Sequence, residues 1–109
     1  MALTSQLGLV LVTAASEAEA RALAKRLIDA QLAACITLNP IQSIYRWQGT
    51  IHQDSEYQLV IKTDLTLFEQ IAAQITQHHS YDLPEIIAIP MVKSTEEYSQ
   101  WIKEQVAKT

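Results

Sequence analysis

The sequence predicts an α+β fold in the order β-α-β-β-α-β, with a further helix at the C-terminus. Three observations point to it. A stretch rich in Ile, Val, Thr, Tyr and Trp runs from Leu32 to Thr63 around Gln48-Gly49, the composition of two β arms and a two-residue loop ending in glycine. Amphipathic helical patterns flank it on both sides, each opened by a Ser or Thr with Glu three residues later. Apolar runs near the two ends supply the remaining strands.

Leu7 to Val12 is a nearly continuous apolar run, the pattern of a central strand buried on both faces, ending at Thr13-Ala14-Ala15. Ser16 and Glu19 form a capping box ahead of Ala20, Leu23, Leu27 and Ala30, so a helix is expected from about Ser16 to Gln31. The long hairpin follows. A second capping box, Thr66 with Glu69, leads into Phe68, Ile71, Ala72 and Ile75 and a helix ending near His78-His79. Pro84 stops any continuation. Glu85 to Val92 reads as a fourth strand that Pro90 either places on an edge or breaks. A third capping box, Ser94 with Glu97, opens a helix striped by Tyr98, Trp101, Ile102 and Val106.

If Gln48 and Gly49 form the loop, Leu38 faces Leu59 and Ile36 faces Ile61 across the hairpin. Ala34, Ile36, Leu38, Tyr57, Leu59 and Ile61 then share one face, and Cys35, Thr37, Asn39, Glu56, Gln58 and Lys62 the other. A bulge near Asn39-Pro40 would shift the outer half. Arms of about fifteen residues at ~3.3 Å each reach roughly 50 Å, far beyond the ~13 Å radius of gyration of a compact domain this size. The hairpin should therefore overhang its core and expose Ile41, Ile44, Tyr45, Trp47 and Ile51, which favours burial against another subunit. The element order is the ferredoxin-like split pattern, with helices on one sheet face, and residues 1–109 read as one domain.

Apolar residues make up 49% of the chain and acidic residues outnumber basic ones, 12 to 8. Disorder is excluded by the first, and no Lys/Arg cluster exists to neutralise several phosphates, so neither nucleic acid nor anionic membrane is expected as a partner. The start MALTSQLG has neither the charge nor the apolar core of a signal peptide, no run approaches the ~20 apolar residues of a membrane span, and the single cysteine cannot form an internal disulfide. A cytoplasmic location is expected.

Leu32-Ala33-Ala34-Cys35, then Ser43-x-Tyr45-x-Trp47-x-Gly49, Glu56, Lys62-Thr63 and Tyr81-x-x-Pro84-Glu85-Ile86 together resemble the divalent-cation tolerance (CutA) family over essentially the whole chain. The resemblance implies a ferredoxin-like protomer in a tight homotrimer similar to PII signalling proteins, and a role in tolerance of divalent metals with copper binding. Val12 stands where some members carry a cysteine suggested as a copper ligand, and Ser80 where the family's His-Pro-Tyr run usually has proline.

Cys35, His78 and His79 are soft and borderline donors that suit copper or zinc over magnesium or calcium, and with the resemblance Cu²⁺ is the expected metal, with the histidines dominant. Their ordinary structural readings are a small packing residue and a helix C-terminus where imidazoles meet free carbonyls. The register sets Lys62 opposite Cys35, and an ammonium beside a thiol favours thiolate chemistry. Lys62, Glu56, Tyr81 and Glu85 are the polar residues expected at a cleft between protomers, with an intersubunit ion pair as the plainer alternative. Tyr45 and Trp47 are expected to anchor a neighbouring subunit. No phosphate loop, nucleophile elbow or zinc-hydrolase motif is present, so an enzyme is not expected. The leading function is a divalent-metal-binding homotrimer. The rivals are a PII-like sensor or scaffold holding a small anion or an unidentified protein partner at intersubunit clefts, and a structural trimer with incidental metal binding.

Overall fold

The computed structural model describes residues 6–107. The reading of the N-terminus as lacking a signal peptide falls mainly on residues 1–5, outside the described residues. The elements are β1 Leu7–Ala14, α1 Glu17–Asp29, β2 Cys35–Trp47, β3 Thr50–Asp64, α2 Phe68–His78, β4 Ile86–Pro90 and α3 Glu96–Gln105, with a 3₁₀ turn at Leu65–Leu67 before α2. The strands form one antiparallel sheet in the order β2-β3-β1-β4, as the ferredoxin-like pattern requires.

Alternation along the strands decides what is buried. Val10, Val12 and Ala14 of β1 and Leu59 and Ile61 of β3 point to the helix side and pack with Leu23 and Leu27 of α1 and Ile71 and Ile75 of α2. Each such side chain, fully buried, is worth about 1.5–3 kcal/mol. On the opposite face, Ile87 and Ile89 of β4 lie level with Leu11 and Leu9 of β1 and stay 48% and 40% exposed. One sheet face is thus covered and the other is apolar but open.

The hairpin keeps the expected register from Cys35↔Lys62 to Trp47↔Thr50, with Leu38 opposite Leu59 and Ile36 opposite Ile61. No bulge interrupts it at Asn39-Pro40, because β2 is an edge strand whose outer side needs no donor from proline. Gln48 (φ 51°) and Gly49 (φ 80°) make the turn with both residues in the left-handed region, the geometry that matches the strand twist. The described residues extend 46 × 26 × 21 Å, with a radius of gyration of 14.7 Å, larger than the ~13 Å of a compact chain of this length. Ile44 and Ile51 near the tip are 71% and 60% exposed.

Two caps differ from expectation. Asp64, not Thr66, starts the turn into α2: its carboxylate accepts from the Thr66 amide and hydroxyl at 2.9 and 2.8 Å. The Thr66 hydroxyl is thereby spent as a donor, and α2 begins at Phe68 without a side-chain cap. At α3 the cap is Thr95, which accepts from the Tyr98 amide at 3.3 Å, while the Ser94 hydroxyl donates to the Thr95 carbonyl. Ser16 caps α1 as expected. Of the α3 stripe, Ile102 and Val106 are buried, but Tyr98 and Trp101 stay 38% exposed and meet in a tilted ring contact at 5.5 Å.

Helix α1 ends at Asp29 in a paired C-cap. The Leu32 amide donates to the Leu27 carbonyl and the Gln31 amide to the Ile28 carbonyl, while Leu32 and Leu27 are both buried, the arrangement usually completed by glycine. Here Gln31 takes the positive φ of 59°, at a cost of roughly 1 kcal/mol for a residue with a Cβ. Gln31→Gly should therefore stabilise the protein by about 1 kcal/mol, read as a higher urea midpoint. An unchanged midpoint would remove strain from the account of this turn.

Candidate ligand cleft

Where the hairpin leaves the core, it forms a cleft of about 660 Å³ with the loop between α2 and β4. The register puts Ser43, Tyr45 and Trp47 of β2 on the same sheet face as Glu56 of β3, so alternation alone brings these side chains to one wall. Tyr81, Asp82 and Glu85 of the loop form the other wall, and Thr13 at the end of β1 lies in the lining. The volume is that of a small-molecule site.

Its titratable groups are carboxylates and phenols. Glu56 is buried, at 8% exposure, and accepts a hydrogen bond from the Tyr81 hydroxyl at 2.6 Å. Burial, then this bond and the Glu56 charge, push the Tyr81 hydroxyl well above the usual phenol range. Partial burial, then the Glu56 charge, hold the Glu85 carboxyl above the usual carboxylate range. Tyr45 donates to Asp54 and stacks on His52 at 5.5 Å. Among the described residues no Lys or Arg lines the cleft.

The Tyr81 wall is held by a clamp on His79. Its side chain is fully buried, with Nε2 2.7 Å from the Thr13 carbonyl and Nδ1 3.0 Å from the Tyr81 amide. A carbonyl can only accept and an amide can only donate, so these partners assign a neutral ring with its proton on Nε2. Glu19 completes the clamp from α1: it accepts from the Ala15 amide and from the Ser80 amide and hydroxyl at 2.7 and 3.0 Å. Burial raises its carboxyl, but these hydrogen bonds outweigh burial and leave it below the usual value. The second half of the predicted capping box is thus shared with a loop distant in sequence, which fixes Ser80 and Tyr81 against β1.

The three expected metal donors are not gathered in one place. His78 is exposed at the end of α2, His79 points inward with both ring nitrogens engaged, and Cys35 is half-buried at the start of β2. Thr13, beside His79, and Leu9, in the Cys35–Lys62 row, lie four residues apart along β1, or about 13 Å. Among the described residues no group of three or more His, Cys, Asp or Glu could hold a metal ion. Within a protomer these donors do not form a coordination site, and His79 has no lone pair to offer. Lys62 is also absent from the cleft: it pairs with Cys35 and Leu9, six residues or about 20 Å along β3 from Glu56.

The model of the CutA1 divalent ion tolerance protein family matches residues 8–105. The chain belongs to the CutA1 family. Among its relatives, the divalent-cation tolerance protein CutA of Thermus thermophilus is 41% identical over 96 residues, covering 87% of this chain and 93% of that one. The chloroplastic protein CutA of Arabidopsis thaliana is 37% identical over 95 residues, 86% of this chain, and the chain spans about half of it, 52%. The structure of the CutA described as periplasmic from Archaeoglobus fulgidus superposes with a TM-score of 0.91 at 36% identity, covering 93% of this chain and 99% of that one.

Against this CutA1 background, Glu56, Tyr81 and Glu85 do meet in one cleft, and Tyr45 and Trp47 stand in its wall. Sequence reasoning missed Ser43, Asp82 and Thr13. The hairpin register was enough to place Ser43 beside Tyr45, whereas Thr13 joins the site only because β1 lies next to β3 in the sheet. Glu19 was read as a local cap, and nothing local in the sequence signals its reach to Ser80.

Proposed function

We propose that this protein serves divalent-cation tolerance as a cytoplasmic homotrimer that binds Cu²⁺ before other divalent metals, and that it is a binding protein rather than an enzyme. Membership of the CutA1 family over residues 8–105 carries this reading. The open apolar sheet face at Ile87 and Ile89 and the exposed hairpin tip at Ile44 and Ile51 support self-association, and the lone cysteine fits a reducing compartment. Among the expected donors, His78 is exposed and its ring makes no hydrogen bond among the described residues, so it is the copper anchor in this proposal. Cys35 is secondary.

Sedimentation at low micromolar concentration should give a trimer. Copper titration of that species should show binding that weakens from about pH 7.5 to about pH 5.5, because imidazole coordinates only when neutral. His78→Ala should lose most of the affinity while Cys35→Ser keeps it. A stable monomer would sink the assembly, and full copper affinity in the His78 variant would sink the ligand assignment.

A second reading has its own observation. The cleft that gathers Glu56, Tyr81 and Glu85 has small-molecule dimensions, which supports a PII-like sensor or scaffold with a ligand or protein partner at this position.

A further inference from the structure

The open sheet face carries one charge that has to be met when the face is covered. Alternation puts its side chains in rows: Cys35, Lys62, Leu9 and Ile89, then Thr37, Val60, Leu11 and Ile87. Of these only Lys62 is charged, and among the described residues its ammonium forms no ion pair or hydrogen bond. Leu9, Leu11, Val60 and Lys62 are already half-buried in one protomer, so a copy laid on this face takes the lysine out of water. A buried ammonium needs a carboxylate against it.

The complement stands on the same sheet face, towards the hairpin. Glu56 is buried and holds one donor among the described residues, the uncharged Tyr81 hydroxyl, while Glu85 lies beside it in the cleft wall. The hydrogen bond satisfies an oxygen of Glu56 and leaves its charge unbalanced. Within one chain Lys62 and Glu56 cannot meet, because six residues of β3, about 20 Å, separate them. Two copies can bring them together. Other cations are worse placed: Arg21 and Lys25 are paired on α1, and Arg46, paired with Ile51, points to the opposite face of the hairpin from Glu56.

We propose that the open sheet face of one copy docks on the cleft of the next, where its Lys62 pairs with Glu56 and Glu85. Each contact joins two different surfaces, the lysine face and the cleft, so repeating it closes a ring of identical interfaces. Tyr45 and Trp47, 41% and 40% exposed in the cleft wall, are covered by the neighbour's apolar rows. This rests on the homotrimer reading above and names the contact that builds it.

The test is sedimentation of the full chain across a dilution series. Lys62→Met keeps the apolar stem and removes the charge, and should raise the concentration of half-dissociation roughly thirtyfold or more. Glu85→Lys should weaken assembly at least as much, by setting two ammonium groups together. Lys62→Glu with Glu85→Lys in one chain should return the midpoint to within about tenfold of wild type, because every interface again holds both charges. Lys62 makes no side-chain bond and Glu85 is exposed, so the variants keep the protomer fold, checked by far-UV circular dichroism. Independently of any variant, a carbodiimide that joins an amine directly to a carboxylate should link wild-type copies through Lys62 and Glu56 or Glu85, read by peptide mass mapping. A wild-type monomer would overturn the homotrimer and this contact together. A trimer indifferent to Lys62→Met, or one that the charge swap does not restore, would overturn the contact and leave the homotrimer standing. Loosening by Arg46→Ser but not by Lys62→Met would make the hairpin tip the complement and overturn the role of Lys62.

Discussion

Replacing His79 with alanine should cost about 3 kcal/mol or more of stability, while the same change at the neighbouring His78 should stay within about 0.5 kcal/mol. The two histidines are adjacent in sequence and opposite in environment. His79 is fully buried and satisfies the Thr13 carbonyl and the Tyr81 amide at once. Removing the ring leaves both without their partner, each worth roughly 1–3 kcal/mol when buried, and opens a void beneath Tyr81. His78 is exposed, so its loss touches no packing. Urea denaturation of the two variants checks the contrast. The Tyr81 amide should also lose hydrogen-exchange protection in His79→Ala. Equal, small effects in both variants would show that the clamp does not hold the cleft wall.

Gly8→Ala should destabilise the sheet by about 2–3 kcal/mol, the range for forced overpacking. A Cβ there would lie 2.5 Å from the Ile89 carbonyl oxygen and 2.6 and 2.7 Å from Leu65 Cδ1 and Cγ. The Leu65 side chain can turn away. The Ile89 carbonyl cannot, because β4 is registered against β1 with Gly8 opposite Pro90, so the strand itself must shift. Leu65→Ala in the same chain should therefore recover little of the loss. At the other glycine, Gly49, a Cβ would meet nothing within 4 Å, and alanine there should cost only the roughly 1 kcal/mol of its positive φ. Unfolding midpoints that rank Gly49→Ala as the worse variant would contradict close packing of β4 on β1.

Much of this architecture was legible because it follows from short-range pattern. The period-two alternation from Leu32 to Thr63, with a loop that tolerates positive φ at Gln48-Gly49, was enough to set the whole hairpin register, Cys35↔Lys62 included. The ferredoxin-like order followed from where helical and strand periods alternate, and the overhang from arm length against domain size. Pattern was less reliable where two polar residues compete for one backbone group. Asp64 rather than Thr66, and Thr95 rather than Ser94, make the caps, because a cap depends on which oxygen lies within reach once the chain has turned.

What the sequence by itself determined is therefore the element order, the hairpin register and the gathering of Glu56, Ser43, Tyr45 and Trp47 on one face, all consequences of alternation along neighbouring strands. Only the tertiary structure decided the rest of the site. Loop residues Tyr81, Asp82 and Glu85 reach Glu56 because Glu19 and Thr13, more than sixty residues earlier, clamp Ser80 and His79. The same clamp turns His79 inward and leaves His78 outside, although their side chains are chemically identical. Lys62 and Glu56 share a strand face, yet only Glu56 lies where the loop folds over. A titratable side chain becomes a buried structural link, a cleft wall or a solvated group according to what the fold packs against it, and those neighbours are set by contacts far apart in the chain.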